Sequence, residues 1–329
     1  MAPDADAGKA SGHRADPFAP LTSQWLPVGD GHDIYVESVG RTGGIPAVYL
    51  HGGPGSGCQP DHRRLFDSER FHAVLFDQRG AGRSRPKGGR AHNTLPHLIA
   101  DMEIIREKFG FERWMVVGGS WGATLALAYA EAHPHRVTGI VLRATFLGTS
   151  DELDGAFLAA LPRFYPGLHE DFLSLLPPEE RAQPLHAYWR RILDSNPAVH
   201  GPFARAWNDT ERILSEHAPG RTRLDLNSLK STGAMPSTSF MEAHYFQNDC
   251  FMRPQQLLAE AGQLQGIPGI IVQGRYDLLC PPATSHALQA AWPESEIRFV
   301  AGAGHSLYDP GVRDAVMKAI ADMASRITV

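Results

Sequence analysis

The chain has 329 residues, a formal net charge of −5, 43% hydrophobic and 20% charged residues, an ordinary globular balance. Its length suits one large domain or two modest ones, and the negative charge offers no footprint for nucleic acid. No apolar run approaches the roughly 20 residues that span a bilayer, so no membrane partner is expected.

The first twenty residues lack an apolar h-region, so no secretory signal is expected, and 1–20 read as a disordered lead-in. Strands are predicted over 47–50 and 73–76, each ending at a glycine-rich loop. Leu95, Leu98, Ile99, Met102, Ile105 and Phe109 follow the 3.6-residue period of an amphipathic helix, with Asn93 or Thr94 to cap its start and Gly110 its end. A strand over 115–117, an Ala/Leu-rich helix over 121–132 stopped near Pro134, and a strand over 137–142 come next. Strand and helix in alternation imply a mostly parallel sheet covered on both faces, hence an α/β fold. From about 146 to 265 the chain is rich in Leu, Ala, aromatic and Pro residues without a strand pattern, which reads as an inserted helical cap. Strand-like runs return at 270–272 and 297–300, and a last helix covers 312–327. The expected organisation is a core of 21–145 and 266–329 with a cap of 146–265.

Gly118-Gly119-Ser120-Trp121-Gly122 stands between a predicted strand and a predicted helix. A serine on that tight turn is thrust above the sheet, and flanking glycines relieve crowding. Serine needs a base to attack at neutral pH. In this arrangement the partners follow in the order serine, acid, histidine. Asp277 and His305 come in that order, each in the loop after a predicted strand, where ligands bind in open α/β sheets. Either alone is more often a turn or surface residue; the order and placement of all three point to a catalytic triad. An oxyanion hole needs two backbone N–H groups. Trp121 follows the nucleophile, and Gly53 lies in the loop His51-Gly52-Gly53-Pro54-Gly55; these two are the expected donors.

The three cysteines, Cys58, Cys250 and Cys280, form a poor disulfide framework and point to a reducing, cytoplasmic compartment. No clustered metal-ligand spacing occurs, and no phosphate-binding G-x-x-x-x-G-K-[ST] pattern, so neither metal nor cofactor is expected. The stretch 77–84 reads as a structural loop at the edge of the site with buried Asp–Arg pairing. Nothing in the sequence specifies an oligomer.

His51-Gly52-Gly53-Pro54-Gly55, Asp77-Gln78-Arg79-Gly80-Ala81-Gly82-Arg83-Ser84, the serine motif, Gly274-Arg275-Tyr276-Asp277 with Cys280-Pro281, and Gly302-Ala303-Gly304-His305-Ser306 together resemble the proline iminopeptidase (prolyl aminopeptidase) family of α/β-hydrolases. The resemblance runs from Gln24 to the C-terminus. It implies an α/β-hydrolase core with an inserted helical cap, and a serine aminopeptidase that releases N-terminal proline, or a small apolar residue, from peptides or amides with a free N-terminus. It further implies that glutamates of the cap bind the α-ammonium group. Glu242, in Met241-Glu242-Ala243-His244-Tyr245-Phe246, matches one family position. Glu211 matches another, although Thr210 replaces a family Trp beside it and Asp209 could share the task. Phe146, Phe246 and Cys280 match an apolar proline pocket, and Arg143 matches an arginine near the paired glutamates. Gly155-Ala156-Phe157 stands where the family usually shows Trp-Phe-Tyr, so a wider pocket is expected. A serine esterase or amidase on the same core, without amine recognition, is the alternative.

Overall fold

The computed structural model describes residues 16–231, 233 and 235–327; of the stretch read as a lead-in, residues 1–15 lie outside the described residues. The strands are β1 (Thr22–Pro27), β2 (Asp33–Gly40), β3 (Ile45–Leu50), β4 (Phe71–Phe76), β5 (Trp114–Ser120), β6 (Val137–Thr145), β7 (Gly269–Gly274) and β8 (Ser295–Val300). They form an eight-stranded sheet in the order β1-β2-β4-β3-β5-β6-β7-β8. The pairs β1–β2 and β2–β4 are antiparallel, and the rest are parallel.

The central strands read as continuous apolar runs because both their faces are covered. Val48, Leu50, Val74, Phe76, Val116 and Leu142 face one core layer, where α1 (Leu95–Lys108) and α2 (Trp121–Ala132) pack. Ala47, Tyr49, Ala73, Leu75, Met115 and Val117 face the other. In that layer α11 (Val312–Arg326) contributes Val316, Ala319, Ile320 and Met323.

The sequence reading omits β1 and β2. β1 is an edge strand with exposed and half-buried residues, and in β2 the Ile34, Val36 and Val39 pattern is interrupted by buried Glu37 and Ser38. Glu37 is accepted there because Arg63 reaches it with two hydrogen bonds, at 2.8 and 2.9 Å. The cap of α1 also differs in detail. Thr94 is the N-cap but its hydroxyl pairs with the His97 ring at 2.7 Å, while Asn93 is buried in a different network. Gly110, at φ 69°, ends the helix as expected, donating to Glu107 O at 3.0 Å.

Between β6 and β7 the described residues hold helices and turns only: α3 (Ser150–Asp154), a π-helical turn (Gly155–Ala160), α4 (Leu161–Phe164), α5 (Pro166–Ser174), α6 (Pro184–Ile192), α7 (Pro197–Ser215), α8 (Ser237–Phe246) and α9 (Gln256–Glu260), before α10 (Pro282–Ala291) of the second sequence half. Prolines open α5, α6 and α7, where the missing N–H has no helical partner to lose. An aromatic cluster joins them: Phe172 stacks on Tyr188 at 3.9 Å and Phe157 on Trp207 at 4.5 Å.

Candidate active site

Ser120 ends β5 and precedes α2 with φ 57° and ψ −126°. This region is costly for a residue with a side chain, of order 1–3 kcal/mol, and persists where the surroundings impose it. They do so through glycine. A Cβ at Gly118 would meet Gly122 O at 2.1 Å, and one at Gly122 would meet Leu50 O at 2.1 Å. The strand-to-helix turn can close only with both positions bare, as the motif requires.

His305 and Asp277 come together in the loops after β8 and β7. His305 Nδ1 lies 2.9 and 3.1 Å from the two Asp277 oxygens. Asp277 Oδ1 also accepts the backbone N–H of Leu279 at 3.0 Å and of Cys280 at 2.8 Å, so the carboxylate is aimed by its own loop. With Nδ1–H donated to Asp277, Nε2 of a neutral imidazole is left as the acceptor. The His305 loop is tied from above: Ser215 O, at the end of α7, accepts the N–H groups of His305 and Ser306, each at 2.9 Å.

The loop after β3 lies beside Ser120. A Cβ at Gly52 would stand 3.5 Å from Ser120 Cβ, and Gly53 sits at φ 105°. Trp121 is the first residue of α2, where backbone N–H groups lack helical partners. Sequence reasoning assigned no chemical part to Gln78, which joins the two sides. Its backbone N–H donates to His51 Nε2 at 3.0 Å, its side-chain amide donates to His51 O at 3.0 Å, and its Oε1 accepts Trp121 Nε1–H at 2.8 Å. His51 is therefore Nδ1-protonated, donating to Gly52 O at 2.9 Å, and burial lowers its pKa. The only sign in the sequence was a polar residue within the 77–84 loop. That loop has the expected ion pairs: Arg83 Nε to Asp77 at 2.7 Å, and Arg79 on Asp101 through two bonds of 2.8 and 2.7 Å.

Glu242 of α8 is 1% exposed. Its Oε2 accepts Trp207 Nε1–H at 2.7 Å, and its Oε1 is buried without a hydrogen-bond partner. Burial pushes its pKa well above the usual carboxylate range, and the neighbouring Glu211 carboxyl pushes it further. Glu211, on α7, is raised by burial and lowered by Glu242 and by the charge of His305. The two carboxyls thus form a pair that prefers to keep a proton between them. Asp209 does not join it. Two positions earlier on α7 it points about 200° away, toward Arg212 and Arg221, each at 3.9 Å. Among the described residues the Arg143 guanidinium bonds the His305 carbonyl oxygen and lies against Gly119, and it forms no ion pair with a glutamate.

Phe146 and Phe246 meet edge to face at 5.9 Å. Cys280 is buried, and burial with the nearby Asp277 charge raises its thiol pKa well above normal, the state of an inert packed cysteine. At the Gly155-Ala156-Phe157 departure the chain forms the π-helical turn, and Phe157 stacks on Trp207. Phe246 also lines a cavity of about 440 Å³, together with Leu153, Leu158, Leu185, Trp189 and Cys250 among others.

A possible metal-ligand group lies elsewhere: ligand atoms of Asp30, His92 and His97 fall within 4.8 Å of one another. Asp30 and His92 are exposed, and Arg79 already lies 3.3 Å from Asp30. No helix among the described residues is long and apolar enough to cross a membrane.

A family model for the alpha/beta hydrolase fold matches residues 46–312. Proteins named proline iminopeptidase are similar over most of their length. One from Arabidopsis thaliana is 41% identical, over 90% of this chain and 78% of its own. One from Xylella fastidiosa is 39% identical, over 91% and 95%. One from Neisseria meningitidis serogroup A is 40% identical, over 92% and 96%. Among solved structures, an alpha/beta fold family hydrolase from Bacillus anthracis matches with a TM-score of 0.62 at 15% identity, covering 93% of this chain and 100% of that one. At that identity the likeness speaks for the fold alone.

Proposed function

The chain belongs to the proline iminopeptidases of the α/β-hydrolase family, and from that membership we propose that it is a serine aminopeptidase releasing N-terminal proline, or a small apolar residue, from peptides and amides with a free N-terminus. In this reading neutral His305, held by Asp277, takes the Ser120 proton as Oγ bonds to the carbonyl carbon of the N-terminal residue. The N–H groups of Trp121 and Gly53 receive the oxyanion. The C–N bond breaks, and the imidazolium gives its proton to the departing amine. Water then repeats the sequence on the acyl-enzyme, releasing the free amino acid and restoring Ser120.

The observation that carries the amine specificity is the pairing of buried Glu242 with part-buried Glu211, the latter near enough to His305 to interact with its imidazole when protonated. An ammonium group reaching the pair gives the unpartnered Glu242 Oε1 a donor. Phe146, Phe246 and Cys280 supply the apolar walls for the ring, and residues 146–265 act as the cap over a core of 21–145 and 266–329. Three free cysteines, all buried, suit a reducing, cytoplasmic setting, and neither nucleic acid nor a membrane enters the proposal.

The test is kcat/KM on a panel of N-terminal aminoacyl anilides, free and N-acetylated, beside a simple acetate ester. Preference for the free prolyl anilide over its acetylated form is expected. Equal rates on both would leave a serine esterase or amidase, using the same triad without amine recognition.

A further inference from the structure

Asn93 lies in the loop before α1, fully buried, and all of its side-chain hydrogen-bonding groups are engaged. Its amide N–H groups donate to Arg79 O at 2.9 Å and Gly89 O at 2.8 Å, both in the core. Its other groups face α8. Asn93 Oδ1 accepts the Tyr245 hydroxyl at 2.8 Å, and its backbone carbonyl pairs with His244 Nε2 at 2.8 Å. The same helix is pressed onto the rest of the site at two further points. A Cβ at Gly55 would come 2.7 Å from Met241 Cβ, so the loop after β3 and α8 are in direct contact. The Tyr245 ring packs on Trp121 at 4.6 Å. Glu242 and Tyr245, three residues apart, share a face of α8.

We propose that Asn93, with His244 and Tyr245, is the positioning device that fixes Glu242 at a set distance from Ser120 and Trp121, and so limits cleavage to the first peptide bond. This rests on the aminopeptidase reading above. A carboxylate that binds the α-ammonium sets the register of the substrate only if its own position is held. α8 belongs to the helical segment inserted between β6 and β7, whose placement on the core depends on contacts of this kind. The clamp joins that helix to a core loop through a residue whose side-chain donors and acceptor, and backbone carbonyl, are all used. Any shift of α8 would therefore leave buried polar groups unpaired, which is costly.

The test compares wild type with Tyr245→Phe, which keeps the ring on Trp121 and removes only the bond to Asn93, and with Asn93→Ala. The substrates are prolyl 4-nitroanilide, its N-acetyl form and 4-nitrophenyl acetate. Misplacement of a positioning group by about 1 Å can cost up to 10²-fold in rate. The expected result is a fall of about tenfold or more in kcat/KM on the free prolyl anilide, chiefly in kcat, with ester turnover changed less than about threefold. Parallel losses on anilide and ester, or an unchanged ratio between them in folded Tyr245→Phe, would overturn the clamp. Should Asn93→Ala fail to fold, Tyr245→Phe decides alone. Failure of the underlying reading looks different: wild type itself would show no preference for the free amine.

Discussion

The indole N–H of Trp207 donates to one oxygen of Glu242 at 2.7 Å, and the other oxygen of the same carboxyl is buried with nothing to bond. A buried acceptor left unpaired costs about 1–3 kcal/mol. Trp207 therefore fixes the rotamer of Glu242 and leaves one lone-pair site facing Glu211. Burial and the neighbouring Glu211 carboxyl both favour the protonated form of Glu242, and an ammonium group brought to the pair would take the place of that proton.

Ser120→Ala should abolish turnover and leave the thermal midpoint within a degree or two. The alanine inherits the same strained backbone imposed by Gly118, Gly122 and Leu50, while the nucleophilic oxygen is lost. A serine-directed phosphonate should label wild type at Ser120. Residual activity above about a hundredth of wild type, or a label found elsewhere by mass spectrometry, would contradict the assignment.

Asp277→Asn should fold and lose roughly 10³–10⁴ in kcat. The backbone N–H groups of Leu279 and Cys280 point at Oδ1, so the asparagine must present its carbonyl to them. Its NH₂ then faces His305 Nδ1, which becomes an acceptor. The proton moves to Nε2, where the base should be. Steady-state kinetics with a circular dichroism control test this; a loss under tenfold would mean that the Asp277 charge does not orient the base.

Gln78→Leu should lower kcat on anilides and esters alike, by roughly 10–100-fold, with KM little changed, because an oxyanion hole acts on the transition state. The substitution leaves Trp121 Nε1–H and His51 O without their bonds to Gln78 and frees both sides of the site to drift apart. A change confined to KM would place Gln78 in substrate binding instead.

What the sequence made legible was whatever depends on local pattern. Ser120 was readable because its glycines are a steric necessity of the turn, and the central strands because burial on two faces makes them continuously apolar. β1 and β2 were not, since an exposed edge strand and a strand with buried Glu37 and Ser38 carry no clean alternation. In the site, Asp277 and His305 announced themselves by following strands. Gln78, Asn93 and Trp207 did not, because their roles arise from bonds across 27 to 152 positions of sequence. Arg143 could be matched to a pattern, but only the structure says which way its guanidinium reaches.

Glu131, near the end of α2, offers a pH test independent of catalysis. It is 7% exposed, both its oxygens lack partners, and burial with the Glu260 charge raises its pKa to about 9. Between its unfolded pKa of about 4.3 and this folded value, the native state holds a proton that the unfolded chain has released. Stability therefore falls as pH rises through that window, by up to about 1.4 kcal/mol per pH unit from this group. Denaturant unfolding at pH 5.5, 7 and 8.5 should show a shallower decline in Glu131→Gln than in wild type. Identical slopes would show that Glu131 ionises normally in the folded protein.

The Glu242–Glu211 pair gives the test that separates an aminopeptidase from an esterase. Prolyl 4-nitroanilide carries a cation at neutral pH, and drawing it into a dry pocket costs several kcal/mol unless an opposite charge meets it. Glu242→Gln removes that charge but keeps an oxygen for Trp207 to donate to, so the fold should survive. The expected loss is of order 2–5 kcal/mol in transition-state binding, roughly 30- to 5,000-fold in kcat/KM, on the free anilide and little on an acetate ester. Glu211→Gln should cost less, because Glu211 is only partly buried and also feels His305. The pH dependence has a definite sign. Because the Glu242 pKa is raised, raising pH strips the shared proton and makes the pair a better cation site, so KM for the free anilide should fall as pH rises while the substrate amine stays charged. In Glu242→Gln that trend should flatten. A variant that loses free-anilide and ester turnover equally, or keeps the wild-type KM profile, would remove Glu242 from amine recognition.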